Sequence, residues 1–168
     1  MTAPSSIWPV LLLWIAPTAA WSQSLGPGFQ QTRQFAEQVR WLRLDSGVRT
    51  MLNAPLTLRA DRRLLVIFAT PNGNTVEQTL GCAASNELDW RYDIQHVAAQ
   101  IRRLRELDAT RDIILAVVQA PELSWPAFRR KQLGADSIIR ELVAMLSKEV
   151  AADRIALACH SGGGSFVF

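Results

Sequence analysis

Three short runs of consecutive apolar residues stand out along the chain, and each has the length of a β-strand. They cover residues 64–69, 113–118 and 155–159, and the first two are followed closely by Pro71 and Pro121. Strands that are apolar at successive positions are typical of a sheet covered on both faces. The pattern therefore predicts three strands in the interior of a sheet.

Two segments between these runs have the apolar spacing of a buried helical stripe. The first begins at the candidate N-terminal cap Asp93 and has apolar residues at Ile94, Val97, Ala98, Ile101 and Leu104. The second has them at Ala135, Ile138, Ile139, Leu142, Val143, Leu146 and Val150. Before all of these, residues 39–44 and 48–52 alternate on either side of the turn residues Asp45, Ser46 and Gly47, which predicts a β-hairpin.

The order strand, helix, strand, helix, strand is typical of right-handed crossovers in an α/β fold. The sequence therefore predicts a mostly parallel sheet with flanking helices and an N-terminal β-hairpin. With 168 residues, 49% of them apolar and 20% charged, the chain has the composition of one packed domain.

The net charge of +3 is scattered along the chain. The densest basic run is Arg102, Arg103 and Arg105, which we interpret as the solvated face of a helix. Because a nucleic-acid footprint needs a broader basic stripe with aromatic platforms, we expect no nucleic-acid partner.

The first 20 residues carry no charged side chain, and residues 7–16 are apolar except for Pro9. Thr18 and Ala20 are small residues suited to cleavage after Ala20, and the apolar stretch is too short to span a bilayer. We therefore predict a signal peptide at 1–20, a secreted or periplasmic protein and no stable membrane span, although the segment lacks the usual Lys or Arg. Residues 21–38 are predicted to be a linker, followed by the domain at 39–168.

The chain has two cysteines, Cys82 and Cys159, and two histidines, His96 and His160. Export permits a disulfide, but two separate thiols are the favoured interpretation. No spacing typical of metal ligands is present, so we predict no metal and no cofactor.

The third apolar run leads into Cys159, His160, Ser161, Gly162 and Gly163. A serine on a sharp turn between a strand and a helix is lifted clear of the sheet. Such a turn needs small residues two positions before and after the serine, because the backbone is strained and neighbouring chain segments come close. Cys159 and Gly163 meet that requirement. His160 is expected to point away from Ser161 and to be a poor general base.

This segment resembles the nucleophile elbow of the α/β-hydrolase family, G-x-S-x-G, with Cys159 at the place of the first glycine. The resemblance covers residues 39–168 and implies that Ser161 is the catalytic nucleophile. It implies an oxyanion hole built from the amide of Gly162 and a second amide, from Gly73 or Asn74, in the loop after residues 64–69. An ordinary Asn-Gly turn is the alternative for that loop.

The resemblance has two further implications. Trp125 is a candidate wall of the substrate site, with a packing role as its alternative. The third and fifth strands of the family are neighbours, which makes a bond between Cys82 and Cys159 conceivable.

The resemblance implies a serine hydrolase that cleaves a small-molecule or peptide ester, thioester or amide through an acyl-enzyme. Family members supply an acid and then a histidine after the nucleophile, and residues 162–168 contain neither. We therefore expect an incomplete α/β-hydrolase fold and an inactive fragment. The main alternative is a non-catalytic α/β-hydrolase-like binding protein. A phosphate binder that uses residues 162–164 is less favoured, because Val167 breaks the dinucleotide fingerprint and no Lys follows the glycines.

Overall fold

A computed structural model describes residues 25–59, 61–81 and 96–168. The predicted signal peptide at 1–20, Cys82, Asp93 and Ile94 lie outside the described residues.

The described residues form one six-stranded sheet with helices on both faces. Its strands are β1 (Gln30–Gln31), β2 (Glu37–Arg43), β3 (Arg49–Pro55), β4 (Arg63–Ala69), β5 (Asp112–Gln119) and β6 (Arg154–Cys159), in the order β1-β2-β3-β5-β4-β6. The helices are α1 (Val76–Leu80), α2 (Val97–Leu107), α3 (Trp125–Lys131), α4 (Ala135–Glu149) and α5 (Gly164–Val167). The predicted α/β class is confirmed.

The predicted hairpin is present as β2 and β3, whose residues pair in antiparallel register. Its turn is closed by the amide of Leu44, 3.0 Å from the carbonyl of Val48, and by the amide of Gly47, 2.8 Å from the carbonyl of Leu44. The sheet is mixed rather than mostly parallel, with three antiparallel and two parallel pairings. The reason is that the hairpin joins the sheet through β3, which runs antiparallel to β5.

The central strands β4 and β5 bury both of their faces, as the apolar runs predicted. Along β4, Leu65 and Ile67 belong to the core cluster shared with α3, α4 and α5, whereas Val66 belongs to the cluster shared with α2. Successive side chains of a strand point to opposite faces, so one apolar run supplies both layers of the core.

The third apolar run, β6, is an edge strand in the described part of the chain. Ile155 and Leu157 are each 43% exposed, because they lie on the face of β6 that α4 only partly covers. Between β6 and α4 lies an open apolar groove of about 970 Å³. The prediction of an interior strand was therefore wrong for the third run within the described residues, because only one side of β6 is paired, with β4.

Two helices agree with the predicted stripes, whereas the short helices α1 and α3 were not predicted. In α4 the buried residues include Ile139, Leu142 and Leu146, whereas Leu104, in the last turn of α2, is 45% exposed. In α3, Ser124 caps the first turn by accepting a hydrogen bond from the amide of Ala127 at 3.3 Å. The sequence signal for the start of this helix was a serine, Ser124, two residues before a proline, Pro126, in the first turn.

The predicted linker at 21–38 also contains regular structure. Residues 30–31 form β1, which pairs with β2, and residues 37–38 begin β2 itself. Leu25 and Phe29 pack against the core from this segment. Alternation was too short here to predict a strand of two residues.

A buried polar cluster joins α2 to the hairpin. Glu37 is 5% exposed, and its carboxylate accepts hydrogen bonds from Arg102 at 3.0 and 3.2 Å and from Arg105 at 2.7 Å. Arg105 also donates to the side chain and backbone of Asn53 and to the carbonyl of Ile113. The interpretation of these arginines as a solvated face was therefore wrong for two of the three, since a buried carboxylate needs paired cations.

Burial lowers the pKa of Arg105 to about 10, and the neighbouring carboxylate of Glu37 opposes that effect. The guanidinium therefore remains charged at neutral pH. Arg103, by contrast, forms an exposed ion pair with Glu106 on the same helix.

We expect Arg105→Met to destabilise the fold by about 3 kcal/mol, because it removes one of the two cations that neutralise the buried Glu37. Arg103→Met, on the same helix, is the matched control and is expected to cost about 0.5 kcal/mol or less. Urea unfolding followed by circular dichroism measures both. Equal destabilisation by the two substitutions would contradict a structural role for the buried cluster.

Candidate active site around Ser161

Ser161 lies on a strained turn directly beyond the carboxyl end of β6. It begins a short 3-10 turn, Ser161–Gly163, that leads into α5, and its side chain is exposed. Its φ of 51° lies in the left-handed region, which costs a residue with a side chain about 1–3 kcal/mol. Strain of this kind persists only where the surrounding structure enforces it.

Backbone strain in the described residues is concentrated at the same edge of the sheet. Besides Ser161, the non-glycine residues with positive φ are Glu122, Leu123 and Ala151. Glu122 and Leu123 follow β5, so the loops after β5 and β6 are both strained. The carboxyl ends of parallel strands are where α/β sheets place their sites.

The turn after Ser161 lies against the end of β4 with no room for a side chain. A Cβ at Gly163 would lie 2.5 Å from the carbonyl oxygen of Ala69 and 3.1 Å from that of Thr70. Cys159 pairs with Ala69 across the parallel strands β4 and β6. The small residues predicted on both sides of the serine therefore occupy positions where the chain comes close to β4.

The predicted oxyanion donors differ in what their amides already bind. The amide of Gly73 donates to the carbonyl of Leu123 at 2.9 Å, and that of Asn74 donates to the carbonyl of Pro71 at 3.2 Å. The amide of Gly162 has no acceptor among the described residues. Gly162 is thus free to bind an oxyanion, whereas Gly73 and Asn74 use their amides to hold the loop together.

The loop after β4 is held firmly at its far end. Thr75 and Gln78 form a reciprocal capping box at the start of α1, with hydrogen bonds of 2.9 and 3.2 Å. The amide of Val76 donates to the side chain of Gln119, at the end of β5, at 2.9 Å. These bonds fix the far end of the loop that contains Asn72 and Gly73.

Asn72, which the sequence pattern did not single out, also lies at this turn. Its side-chain amide occupies the space that a Cβ at Gly162 would need, with Oδ1, Cγ and Nδ2 at 2.1, 2.3 and 2.6 Å from that position. The side chain is exposed and makes no hydrogen bond within residues 25–59, 61–81 and 96–168. The available signal was its place between Pro71 and Gly73, in the loop that the family resemblance already singled out.

Trp125 lies in the core rather than in the wall of an open site. It is 1% exposed, and its ring packs edge-on against Phe128 and Phe166, with centroids 5.7 and 4.7 Å away. Because Phe166 belongs to α5, Trp125 supports the helix that follows Ser161. Trp125 therefore has the packing role that was its alternative, and it does not form the predicted wall of an open substrate site.

The described histidines do not form a pair with Ser161. His96 lies at the start of α2 against Gly81, and His160 has a buried Nδ1 without a hydrogen-bond partner in the described part of the chain. The Oγ of Ser161 makes no hydrogen bond to any described residue. Cys159 carries a free thiol, and no three acidic, histidine or cysteine side chains among the described residues are arranged to hold a metal.

The three glycines after Ser161 provide a matched series of substitutions. We expect Gly163→Ala to destabilise the fold by about 2 kcal/mol or more, because its new Cβ meets fixed backbone of β4. Gly164→Ala is the control, since its Cβ would meet only Phe168 at 4.0 Å. Its helical backbone also suits alanine, so a gain of up to about 1 kcal/mol is expected.

Thermal and urea unfolding of the two variants checks this prediction. Equal stabilities of Gly163→Ala and Gly164→Ala would contradict the close approach of the turn to β4.

Among the described residues, none of the helices combines the length and apolarity needed to cross a membrane. No known protein family, curated protein or solved structure matches this chain.

Proposed function

We propose that this protein is a serine hydrolase in which Ser161 accepts an acyl group from an ester, thioester or amide. The observation that carries the proposal is the strained, exposed position of Ser161, followed immediately by the free amide of Gly162. A nucleophile raised on a strained turn and an unpaired N–H donor next to it are two of the parts that acyl transfer requires, the third being a base.

The chemistry follows from that arrangement. The Oγ of Ser161 attacks the carbonyl carbon, and the amide of Gly162 stabilises the negative charge that develops on the carbonyl oxygen. The hydroxyl of Ser161 gives its proton to a base, and the leaving alcohol, thiol or amine takes up that proton as its bond to the acyl carbon breaks. Water releases the acyl group from Ser161 in the second half of the reaction.

The order of strands supports the resemblance to α/β-hydrolases on which this proposal also draws. Counted from the hairpin, β4 is the third strand and β6 the fifth, and the two are paired in parallel register. Family members place their nucleophile after the fifth strand, which is the position of Ser161.

A second candidate function is that of a non-catalytic binding protein with the same fold. It is favoured by one observation: the Oγ of Ser161 has no hydrogen-bonded base among the described residues. A serine hydroxyl without a base is a weak nucleophile. The proposed hydrolase therefore depends on a base that the described part of the chain does not place beside Ser161.

Labelling with a fluorophosphonate, with imidazole supplied as an external base, tests whether Ser161 is the nucleophile. The Oγ of Ser161 would form a bond to phosphorus as fluoride leaves, and imidazole would take the proton. We expect mass spectrometry to find the adduct on Ser161 and not on Ser165, four positions further along. Ser161→Ala is expected to abolish labelling, and Ser165→Ala to leave its rate unchanged.

Without imidazole we expect slow labelling, and ester turnover no faster than that of Ser161→Ala, because none of the described residues is placed as a base beside Ser161. Turnover by the unmodified chain that Ser161→Ala abolishes would contradict the expected inactivity. Equal labelling of Ser161 and Ser165 would contradict the proposed nucleophile and favour the binding protein.

A further inference from the structure

We propose that the side chain of Asn72 is the second oxyanion donor of this site, in place of a backbone amide from the same loop. The proposal rests on the nucleophilic role of Ser161. It assigns a transition-state contact to a residue that neither the elbow motif nor the loop pattern identified.

The side chain of Asn72 lies directly against Gly162. The amide group of Asn72 lies on the Cα of Gly162, within 2.1–2.6 Å of the place of a Cβ. The amide nitrogen of Gly162 is bonded to that same Cα, so the carboxamide of Asn72 lies in the immediate neighbourhood of this N–H. An oxyanion bound by Gly162 would therefore be adjacent to the amide of Asn72.

The N–H donors of this loop differ in whether they are already hydrogen-bonded. The amides of Gly73 and Asn74 are already bound to the carbonyls of Leu123 and Pro71. The side chain of Asn72 makes no hydrogen bond within the described residues. A carboxamide carries two N–H donors whichever way its oxygen and nitrogen are assigned, so rotation about its last bond suffices to aim one at an oxyanion.

The backbone beneath Asn72 is fixed, which a preorganised donor needs. The hydrogen bond from Asn74 to Pro71 closes the turn that contains Asn72, and the bond from Gly73 to Leu123 ties this turn to the loop after β5. Only the side-chain torsions of Asn72 remain to be set, and contact with Gly162 limits them.

This geometry gives Gly162 a role different from that of Gly163. A Cβ at 163 would meet backbone that cannot move, whereas a Cβ at 162 would meet the end of an exposed side chain that can. We infer that Gly162 is small so that Asn72 can lie over it. Gly162→Ala would then displace the donor while keeping its own backbone N–H.

Five chains test the proposal: the native protein, Asn72→Ala, Gly162→Ala, the double variant and Asn72→Asp. Two quantities are measured for each chain and compared with those of the native protein. One is the rate at which the fluorophosphonate labels Ser161 in the presence of imidazole, and the other is the unfolding midpoint. We expect Asn72→Ala to slow labelling about 100-fold, as the loss of one oxyanion donor does, with its unfolding midpoint unchanged. Because Asn72→Ala keeps the backbone amide at position 72, this loss would report on the side chain.

Gly162→Ala is expected to slow labelling to a similar extent, and the double variant no further than either single one. Any loss of stability in Gly162→Ala is expected to be recovered in the double variant, because the clash is then removed while labelling stays slow. Asn72→Asp keeps the shape of the side chain without its donor, and we expect it to label at least as slowly as Asn72→Ala.

Native labelling rates in Asn72→Ala or in Asn72→Asp would overturn the proposal and leave the nucleophilic role of Ser161 intact. Absence of labelling at Ser161 in the native chain would instead overturn the proposed function, and this inference with it.

Discussion

The close approach of the turn after β6 to the end of β4 sets the geometry of the candidate site. Parallel pairing places Cys159 beside Ala69, and two residues beyond Ser161 the chain lies so near Ala69 that a Cβ at Gly163 would be 2.5 Å from its carbonyl oxygen. The chain must therefore reverse within very few residues. The positive φ of Ser161 is the local consequence of that reversal, and the exposed hydroxyl is its result.

That constraint is maintained by packing on the far side of the turn. Phe166 of α5 is buried against Trp125, so the helix after the glycines is anchored to α3. Edge-to-face aromatic pairs contribute about 1 kcal/mol beyond the area that they bury. The strained residue is thus held between two fixed structures, the paired strands β4 and β6 before it and the Trp125–Phe166 contact after it.

The sequence predicted the parts of this arrangement that depend on local pattern. The apolar runs identified β4 and β5, and the alternation on either side of Gly47 identified the hairpin. The small residues before and after Ser161 indicated a tight turn. It did not predict the pairing of Arg105 with Glu37 or the contact of Asn72 with Gly162, because both join segments far apart in the chain. A basic run and an Asn-Gly turn look the same in sequence whether they face solvent or a partner from another element.

The adjacent glycines at 162 and 163 show why such contacts decide the chemistry. Both have a backbone outside the left-handed region, so neither is needed for its conformational freedom. Gly163 lies against the carbonyl of Ala69, which is backbone of the paired strand β4. Gly162 lies against the side chain of Asn72, which makes no hydrogen bond within the described residues. An exposed carboxamide that makes no hydrogen bond to the described chain therefore lies against Gly162, whose amide is equally unpaired and whose preceding residue is the strained Ser161. A developing oxyanion on a carbonyl attacked by Ser161 would supply the acceptor that both unpaired N–H donors lack, while the Oγ of Ser161 forms the bond to the carbonyl carbon.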